Sequence, residues 1–235
     1  MSRVVLVHGF TQTGASWTPV AEALAADHEV VCPDQPGHGT RAHVGADLAT
    51  SALALAAHGP AAFVGYSMGG RIALHLALLH PEAVTSLVLV GATAGIDDEG
   101  ERAARRAADE ALADRLLGIG TDAFLEEWLA RPLFAGLPPE ARRGRSSDAA
   151  GLASSLRLAG TGTQEPLWGR LGQLAMPVLV VAGERDEKFR TLAARLVTAI
   201  GANAELAVVP DAGHAAHLER PEAFVALVRP WLADR

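Results

Sequence analysis

Hydrophobic residues follow two patterns along this chain, short continuous runs and longer segments with helical spacing. Continuous rather than alternating runs are typical of strands that are covered on both faces of a parallel sheet. Six runs therefore predict buried strands: Val4–Val7, Glu29–Pro33, Ala61–Tyr66, Ser86–Gly91, Pro177–Gly183 and Ala204–Pro210.

The segments between these runs carry apolar residues at the spacing of amphipathic helices. The predicted helices are Ala15–Ala26, Ala46–Ala57, Met68–His80, Leu192–Ile200 and Pro221–Leu232. Strands that alternate with helices predict an α/β fold with a mostly parallel, doubly wound sheet of about six strands.

The alternation breaks once, between residues 96 and 174, where only helical patterns and turn signals such as GLPPE occur. A structureless loop of this length is uncommon inside a compact domain. We therefore expect residues 96–174 to form a helical cap, inserted into a core made of residues 1–95 and 175–235.

Composition narrows the classes of function. Hydrophobic residues make up 49% of the 235 residues, enough for a sizeable core, and the net charge of −7 argues against a nucleic-acid partner. No run approaches the roughly 20 apolar residues that span a bilayer, and the first residues lack a signal-peptide pattern. The single cysteine, Cys32, fits a reducing compartment. We expect a cytoplasmic protein without a membrane partner, and the oligomeric state stays open.

A serine between two glycines marks the junction of the third strand and the following helix, in the sequence VGYSMGG. Gly65 and Gly69 flank Ser67 as in a nucleophile elbow, a sharp turn that glycines tolerate and larger residues do not. The helix N-terminus also favours developing negative charge. This short pattern occurs by chance as well, with the serine capping a helix. The strand before it and the helix after it favour a nucleophile.

A serine nucleophile needs a base, and nine histidines are available. His214 follows the last strand, at the carboxyl edge of the predicted sheet, where ligand sites of α/β folds gather. His217 is its nearest rival. The other histidines in helical or turn segments are expected to have surface or packing roles: His28, His43, His58, His75 and His80.

The base must in turn be oriented by a carboxylate. Asp186 directly follows the fifth strand and precedes His214, which gives the order serine, acid, histidine of α/β-hydrolases. The neighbouring acids Glu184 and Asp211 have alternative roles in turns or ion pairs. We predict a catalytic triad of Ser67, Asp186 and His214.

The first strand runs into the turn HGFTQTG. Its backbone can face the serine, so the amides of Phe10 and Met68 are the candidate donors of an oxyanion hole. His8 is expected to stabilise this turn rather than to act as an acid or a base. The turn DQPGHGTR, at Asp34–Arg41, is expected to be structural.

The motifs HGF, DQPGHG, GYSMGG, GERDEKF and AGHAAHLERPEAF, in this order, resemble the α/β-hydrolase superfamily over the whole chain. The stretches ERAARRAADEALADRLLGIGTDAFLEEWLARPLF and GLASSLRLAGTGTQEPLW, together with GERDEKF, resemble the MenH type of menaquinone biosynthesis. Members of that family are 2-succinyl-6-hydroxy-2,4-cyclohexadiene-1-carboxylate synthases. The resemblance implies an elimination that releases pyruvate by means of the triad, without a cofactor or a metal. Gln35 departs from the family, which usually has leucine there.

The resemblance also implies a site for a small anionic substrate with several carboxylates. Arg71 lies one helical turn after Ser67, and guanidinium groups bind carboxylates through two hydrogen bonds. Arg102 and Arg145 match cap positions at which the family is similar. The alternative is that these arginines pair with surface acids. Lys188, the only lysine, lies in the loop that carries the acid and suits either a site role or a local ion pair. Three aromatic residues are expected to wall the cavity: Tyr66, Trp128 and Phe134.

Three hypotheses about function follow, because a fold alone does not settle function. The first is a MenH-like pyruvate lyase, which requires Arg71 and a polyanionic substrate. The second is a hydrolase of a small ester, lactone or carbon–carbon bond, which would tolerate the loss of Arg71. The third is a ligand-binding receptor on a hydrolase scaffold, which would bind its ligand with negligible turnover.

Overall fold

The structure is a computed structural model, and it describes residues 1–142 and 145–235. One six-stranded sheet forms its centre, with the order β2-β1-β3-β4-β5-β6 and parallel pairing throughout. The strands are β1 Arg3–Val7, β2 Glu29–Val31, β3 Ala61–Tyr66, β4 Val84–Val90, β5 Val178–Gly183 and β6 Ala204–Val209. Each predicted run overlaps a strand, and the predicted α/β fold is confirmed.

The described α-helices are α1 Thr18–Leu24, α2 Leu48–Ala56, α3 Met68–Leu79, α4 Glu99–Ile119, α5 Thr121–Leu129, α6 Ala149–Ala159, α7 Glu187–Ile200, α8 Ala216–Glu219 and α9 Pro221–Ala233. Helix α7 begins before its predicted start at Leu192. Its N-terminus is capped by Asp186, whose Oδ1 accepts the Phe189 amide at 3.2 Å.

No helix within the described ranges is long and apolar enough to cross a membrane.

The two edge strands differ from their predicted burial. In β6, Leu206 and Val208 are 45% and 37% exposed, whereas β3 and β5 are buried at every residue. The short strand β2 is likewise only partly covered. The prediction of burial was wrong for these two strands because a strand at the edge of a sheet has a neighbour on one side only.

Residues 96–142 and 145–174 contain α4, α5, α6 and short 3₁₀ turns, and no strand lies among them. These helices share a small apolar cluster that includes Leu116, Phe124, Leu152 and Leu156. The division of the chain into a core and a cap at these boundaries stays a prediction.

Alternate residues of the inner strands point to opposite faces of the sheet and build one apolar cluster on each face. Phe63 of β3 contributes to one cluster, and its neighbour Val64 contributes to the other. Because all strands are parallel, their carboxyl ends lie at one edge of the sheet. The loops after β1, β3, β5 and β6 therefore meet there.

Candidate active site

Ser67 occupies a strained turn between β3 and α3, with φ 52° and ψ −110°. A positive φ is uncommon for a residue other than glycine, and such strain clusters at functional sites. The turn leaves no room beside it, because a Cβ on Gly69 would lie 2.2 Å from the Val7 carbonyl oxygen. The Ser67 amide donates to the Val90 carbonyl at 2.8 Å, which ties the turn to β4. This is the geometry of a nucleophile elbow.

The structure brings the three predicted triad side chains into one hydrogen-bonded chain. His214 Nε2 lies 3.4 Å from Ser67 Oγ, and His214 Nδ1 lies 2.8 Å from Asp186 Oδ2. His214 is 4% exposed and Asp186 8%. Since the carboxylate can only accept, Nδ1 carries the proton and Nε2 is left to accept from the serine hydroxyl. The arrangement can therefore move a proton to and from Ser67.

His217, the rival base, has a different environment. Its ring is fully buried and stacks on Trp17, with 4.1 Å between the ring centroids. Neither ring nitrogen has a hydrogen-bond partner among the described residues. Burial lowers the pKa of His217 to about 3, with smaller contributions from His214 and Arg145. A neutral histidine of this kind packs the core behind the site.

The other two acids that were candidates from the sequence, Glu184 and Asp211, take part in contacts between neighbouring loops. Glu184 Oε2 accepts the Asp211 amide at 2.9 Å, and Asp211 pairs with Arg185 at 2.8 Å. Asp186 therefore orients His214, while Glu184 and Asp211 stabilise the turns around it.

The amides of Phe10 and Met68 are available for a ligand. Both residues line the cleft at Ser67, and within the described residues neither amide donates to a protein acceptor. Gln12 Oε1 accepts the Gly9 amide at 3.0 Å and so shapes the loop that presents Phe10. Two unpaired backbone amides beside a nucleophile can stabilise an oxyanion.

Two buried histidines accept backbone hydrogen bonds that stabilise this loop and the loop after β2. His8 Nε2 accepts the Gln35 amide at 2.9 Å, and His38 Nε2 accepts the Thr11 amide at 3.3 Å. Burial lowers the pKa of His8 to about 4 and that of His38 to about 3, so both rings are neutral acceptors. Gln35, the departure from the family pattern, is 1% exposed, and its backbone takes part in this hydrogen bonding.

The cleft at Ser67 is lined by both aromatic and cationic side chains. Tyr66 lies against His214 with 5.3 Å between ring centroids, and burial raises the pKa of its hydroxyl. Trp128 packs edge-on against Phe10 at 5.2 Å. Further lining residues are Phe134, Leu133, Leu156, Phe189, Arg71, Arg105, Arg145 and Lys188.

Arg71 is a buried cation without a carboxylate partner among the described residues. It is 6% exposed, and Nη2 donates to the Ala159 carbonyl at 2.9 Å. Nη1 donates to the Gly160 carbonyl at 3.3 Å and to Gln164 Oε1 at 3.5 Å. The carbonyls lie at the C-terminus of α6, the negative end of its dipole. Burial lowers the pKa of Arg71 to about 10, which leaves the side chain charged at neutral pH.

The structure does not bring Arg102 to the cleft, which corrects that expectation. Its Nη1 donates to the carbonyls of Ile96 and Asp97 at 3.0 and 3.3 Å, because its place in the first turn of α4 directs it to its own preceding loop. Arg105, nearly one turn later, lines the cleft instead and pairs with buried Asp109 at 2.8 Å. Neither residue was predicted from the sequence, although their i, i+4 spacing is a signal for an ion pair.

Arg145 and Lys188 also line the cleft. Arg145 Nη1 donates to Thr11 Oγ1 at 2.7 Å, which connects the segment before α6 to the loop after β1. Lys188 is exposed, with Nζ 5.9 Å from the Phe189 ring centroid. Among the described residues, no three His, Cys, Asp or Glu side chains are grouped so that they could hold a metal ion.

A parallel sheet with a serine elbow, followed in the chain by an acid and a histidine at the same sheet edge, is the arrangement of α/β-hydrolases. The sequence profile of the alpha/beta hydrolase family matches residues 4–227. The chain belongs to this family.

Within it, the chain belongs with the 2-succinyl-6-hydroxy-2,4-cyclohexadiene-1-carboxylate synthases. It is 33% identical to the Escherichia coli O1:K1 / APEC synthase over 95% of this chain and 90% of the relative. It is 37% identical to a Bacillus subtilis (strain 168) protein provisionally named for the same activity, over 98% and 90% of the two chains. MenH from S. aureus superposes with a TM-score of 0.91 at 29% identity, covering 99% of this chain and 94% of that one. A malate-bound esterase from Thermogutta terrifontis gives 0.86 at 25%, covering 100% and 90%.

Proposed function

We propose that this enzyme eliminates pyruvate from 2-succinyl-5-enolpyruvyl-6-hydroxy-3-cyclohexene-1-carboxylate, as a step of menaquinone biosynthesis. The observation that carries the proposal is Arg71, a buried guanidinium that lines the same cleft as Ser67 and has no carboxylate partner among the described residues. A buried cation whose hydrogen bonds all go to neutral acceptors is costly, and a substrate carboxylate would add a direct ionic partner to the electrostatic attraction of Asp109. The naming of the relatives for this activity supports the same conclusion.

In the proposed reaction, Ser67 and His214 act together as the base. Asp186 holds the imidazole tautomer, and His214 accepts the hydroxyl proton while the Ser67 oxygen takes a proton from a ring carbon of the substrate. The electron pair left on the ring forms a new double bond, and the carbon–oxygen bond to the enolpyruvyl group breaks. The released enolpyruvate takes up a proton on carbon and becomes pyruvate. Proton transfer by a positioned group supplies about 10²–10⁴-fold acceleration.

Positioning of the substrate by the cleft supplies much of the remaining rate acceleration. The amides of Phe10 and Met68 would stabilise negative charge that develops on a substrate oxygen conjugated with the reacting carbon. Arg71 would hold a carboxylate, with Arg145 and Lys188 adding positive charge around it. We expect residues 96–174 to act as a cap over this substrate, and the enzyme to work in the cytoplasm.

The test is pyruvate release by the purified protein, coupled to lactate dehydrogenase. The substrate is generated in situ, and an enzyme-free reaction measures its spontaneous decay. We expect fast release by the wild type and release near the uncatalysed rate by Ser67→Ala. Wild-type release at the uncatalysed rate, with p-nitrophenyl esters cleaved in a Ser67-dependent way, would contradict the lyase and favour a hydrolase.

A further inference from the structure

A second buried carboxylate lies behind the histidine of the triad. Glu219 ends the short helix α8, five residues after His214. Its Oε2 accepts the Gly213 amide at 2.7 Å, and its Oε1 accepts the Ala215 amide at 3.1 Å. One side chain therefore binds the two backbone amides that flank His214.

The surroundings of Glu219 show that this carboxylate is enclosed. The residue is 6% exposed, and its carboxylate accepts hydrogen bonds from the two amides. A Cβ on Gly136 would lie 2.0 Å from Oε2, and a Cβ on Gly213 would lie 2.9 Å from the same atom. Burial of a charge is costly unless hydrogen bonds compensate it, and here the two amides provide them. The desolvation cost of a buried carboxylate at this position indicates a role that a neutral side chain could not fill.

We infer that Glu219 is a positioning residue that fixes the turn of His214 and so keeps its imidazole within reach of Ser67. The distance from His214 Nε2 to Ser67 Oγ, 3.4 Å, is already at the long end for a hydrogen bond. A small shift of the turn would break the contact. This inference rests on the proposed role of Ser67 and His214 as a catalytic pair, and it does not depend on the identity of the substrate.

A carboxylate suits this role better than an amide because two donors converge on it. Glutamine has one side-chain acceptor oxygen, so Glu219→Gln would leave one of the two flanking amides facing an NH₂ group. Gly136 belongs to the segment between β4 and β5 and packs directly on the carboxylate. Glu219 thereby also connects that segment to the turn of the catalytic histidine.

The experiment compares Glu219→Gln and Glu219→Ala with a matched control, Glu222→Gln, on the exposed first turn of α9. The first readout is the rate constant for phosphonylation of Ser67 by a fluorophosphonate, together with the fraction of protein labelled at completion. The second is the split between kcat and KM for pyruvate release. A loss of folded protein lowers the labelled fraction, whereas a displaced histidine lowers the rate constant of the protein that is labelled.

We expect Glu219→Gln to lower the phosphonylation rate constant and kcat about 10- to 100-fold, with KM changed less than about threefold, because small misplacement of a catalytic group has effects of this size. Glu222→Gln should match the wild type. A phosphonylation rate constant of Glu219→Gln equal to that of the wild type would overturn the inference alone. Failure of the wild type to be labelled at Ser67 would overturn it together with the triad. Labelling that depends on Glu219 without pyruvate release would leave it standing and contradict only the proposed reaction.

Discussion

Two groups of residues around the cleft satisfy their charges in different ways. In the triad, each polar side chain has another side chain as its partner, from Asp186 through His214 to the serine. The guanidinium of Arg71 donates to two main-chain carbonyls and to Gln164, and none of these acceptors is a carboxylate. The triad is hydrogen-bonded without a ligand, whereas the guanidinium has no direct ionic partner among the described residues, and a ligand carboxylate can supply one.

We interpret this difference as a division between the residues that transfer the proton and the residue that binds the substrate carboxylate. A proton relay must be assembled before the substrate arrives, since its geometry decides the rate. An anion site works best when a ligand supplies the missing charge, because a resident carboxylate would compete with it. Arg105 is a poorer anion site than Arg71, because Asp109 already neutralises it and its side chain is 41% exposed. We therefore assign recognition mainly to Arg71.

Ser67→Ala should have the largest effect, because it removes the group that exchanges the proton. We expect kcat for pyruvate release to fall about 10²–10⁴-fold, with KM close to that of the wild type. The control is Ser86→Ala, the same change at a buried serine whose Oγ has no partner among the described residues. Equal losses in the two variants would show that the damage is structural.

Arg71→Gln should have the next largest effect, and it should act on binding. Charge-assisted hydrogen bonds contribute about 1.5–3 kcal/mol, so kcat/KM should fall about 10- to 100-fold, mainly through KM. Arg102→Gln is the matched control, because Arg102 donates to the carbonyls of its own loop instead of lining the cleft. A greater loss in Arg102→Gln than in Arg71→Gln would reverse the assignment of the two arginines.

His217→Phe should have the smallest effect on activity and a clear effect on acid stability. The pKa of His217 is about 3 in the folded protein, below its ordinary value of 6.5. Between these values the unfolded chain binds a proton that the folded one does not, so the free energy of unfolding falls as the pH falls through this window. The slope is about 1.4 kcal/mol per pH unit for each such histidine.

Urea unfolding of wild type and His217→Phe between pH 7 and 4.5 measures this slope, which should be shallower in the variant. His43→Phe, at an exposed position, should keep the wild-type slope. An unchanged slope in His217→Phe, or a large loss of activity at pH 7, would argue against a neutral packing role for His217.

The sequence predicted those parts of the site that are defined locally. Ser67 is recognisable because an elbow needs small residues on both sides, and Asp186 and His214 because each directly follows a strand. The choice between Arg102 and Arg105 depends on how α4 is rotated against the cleft, which no local pattern encodes. Glu219 could not be predicted from the sequence because its carboxylate binds main-chain amides of a neighbouring turn, which no residue pattern reveals. The exposure of β2 and β6 depends on strand order, which the apolar runs leave undefined.

The most direct test of the separation between chemistry and recognition uses one preparation each of wild type and Arg71→Gln. Pyruvate release from the polyanionic substrate and cleavage of a neutral p-nitrophenyl ester are measured on the same samples. We predict that Arg71→Gln loses most of the pyruvate release at low substrate concentration and retains any Ser67-dependent ester cleavage that the wild type shows. Pyruvate release by Arg71→Gln at the wild-type rate would contradict the account.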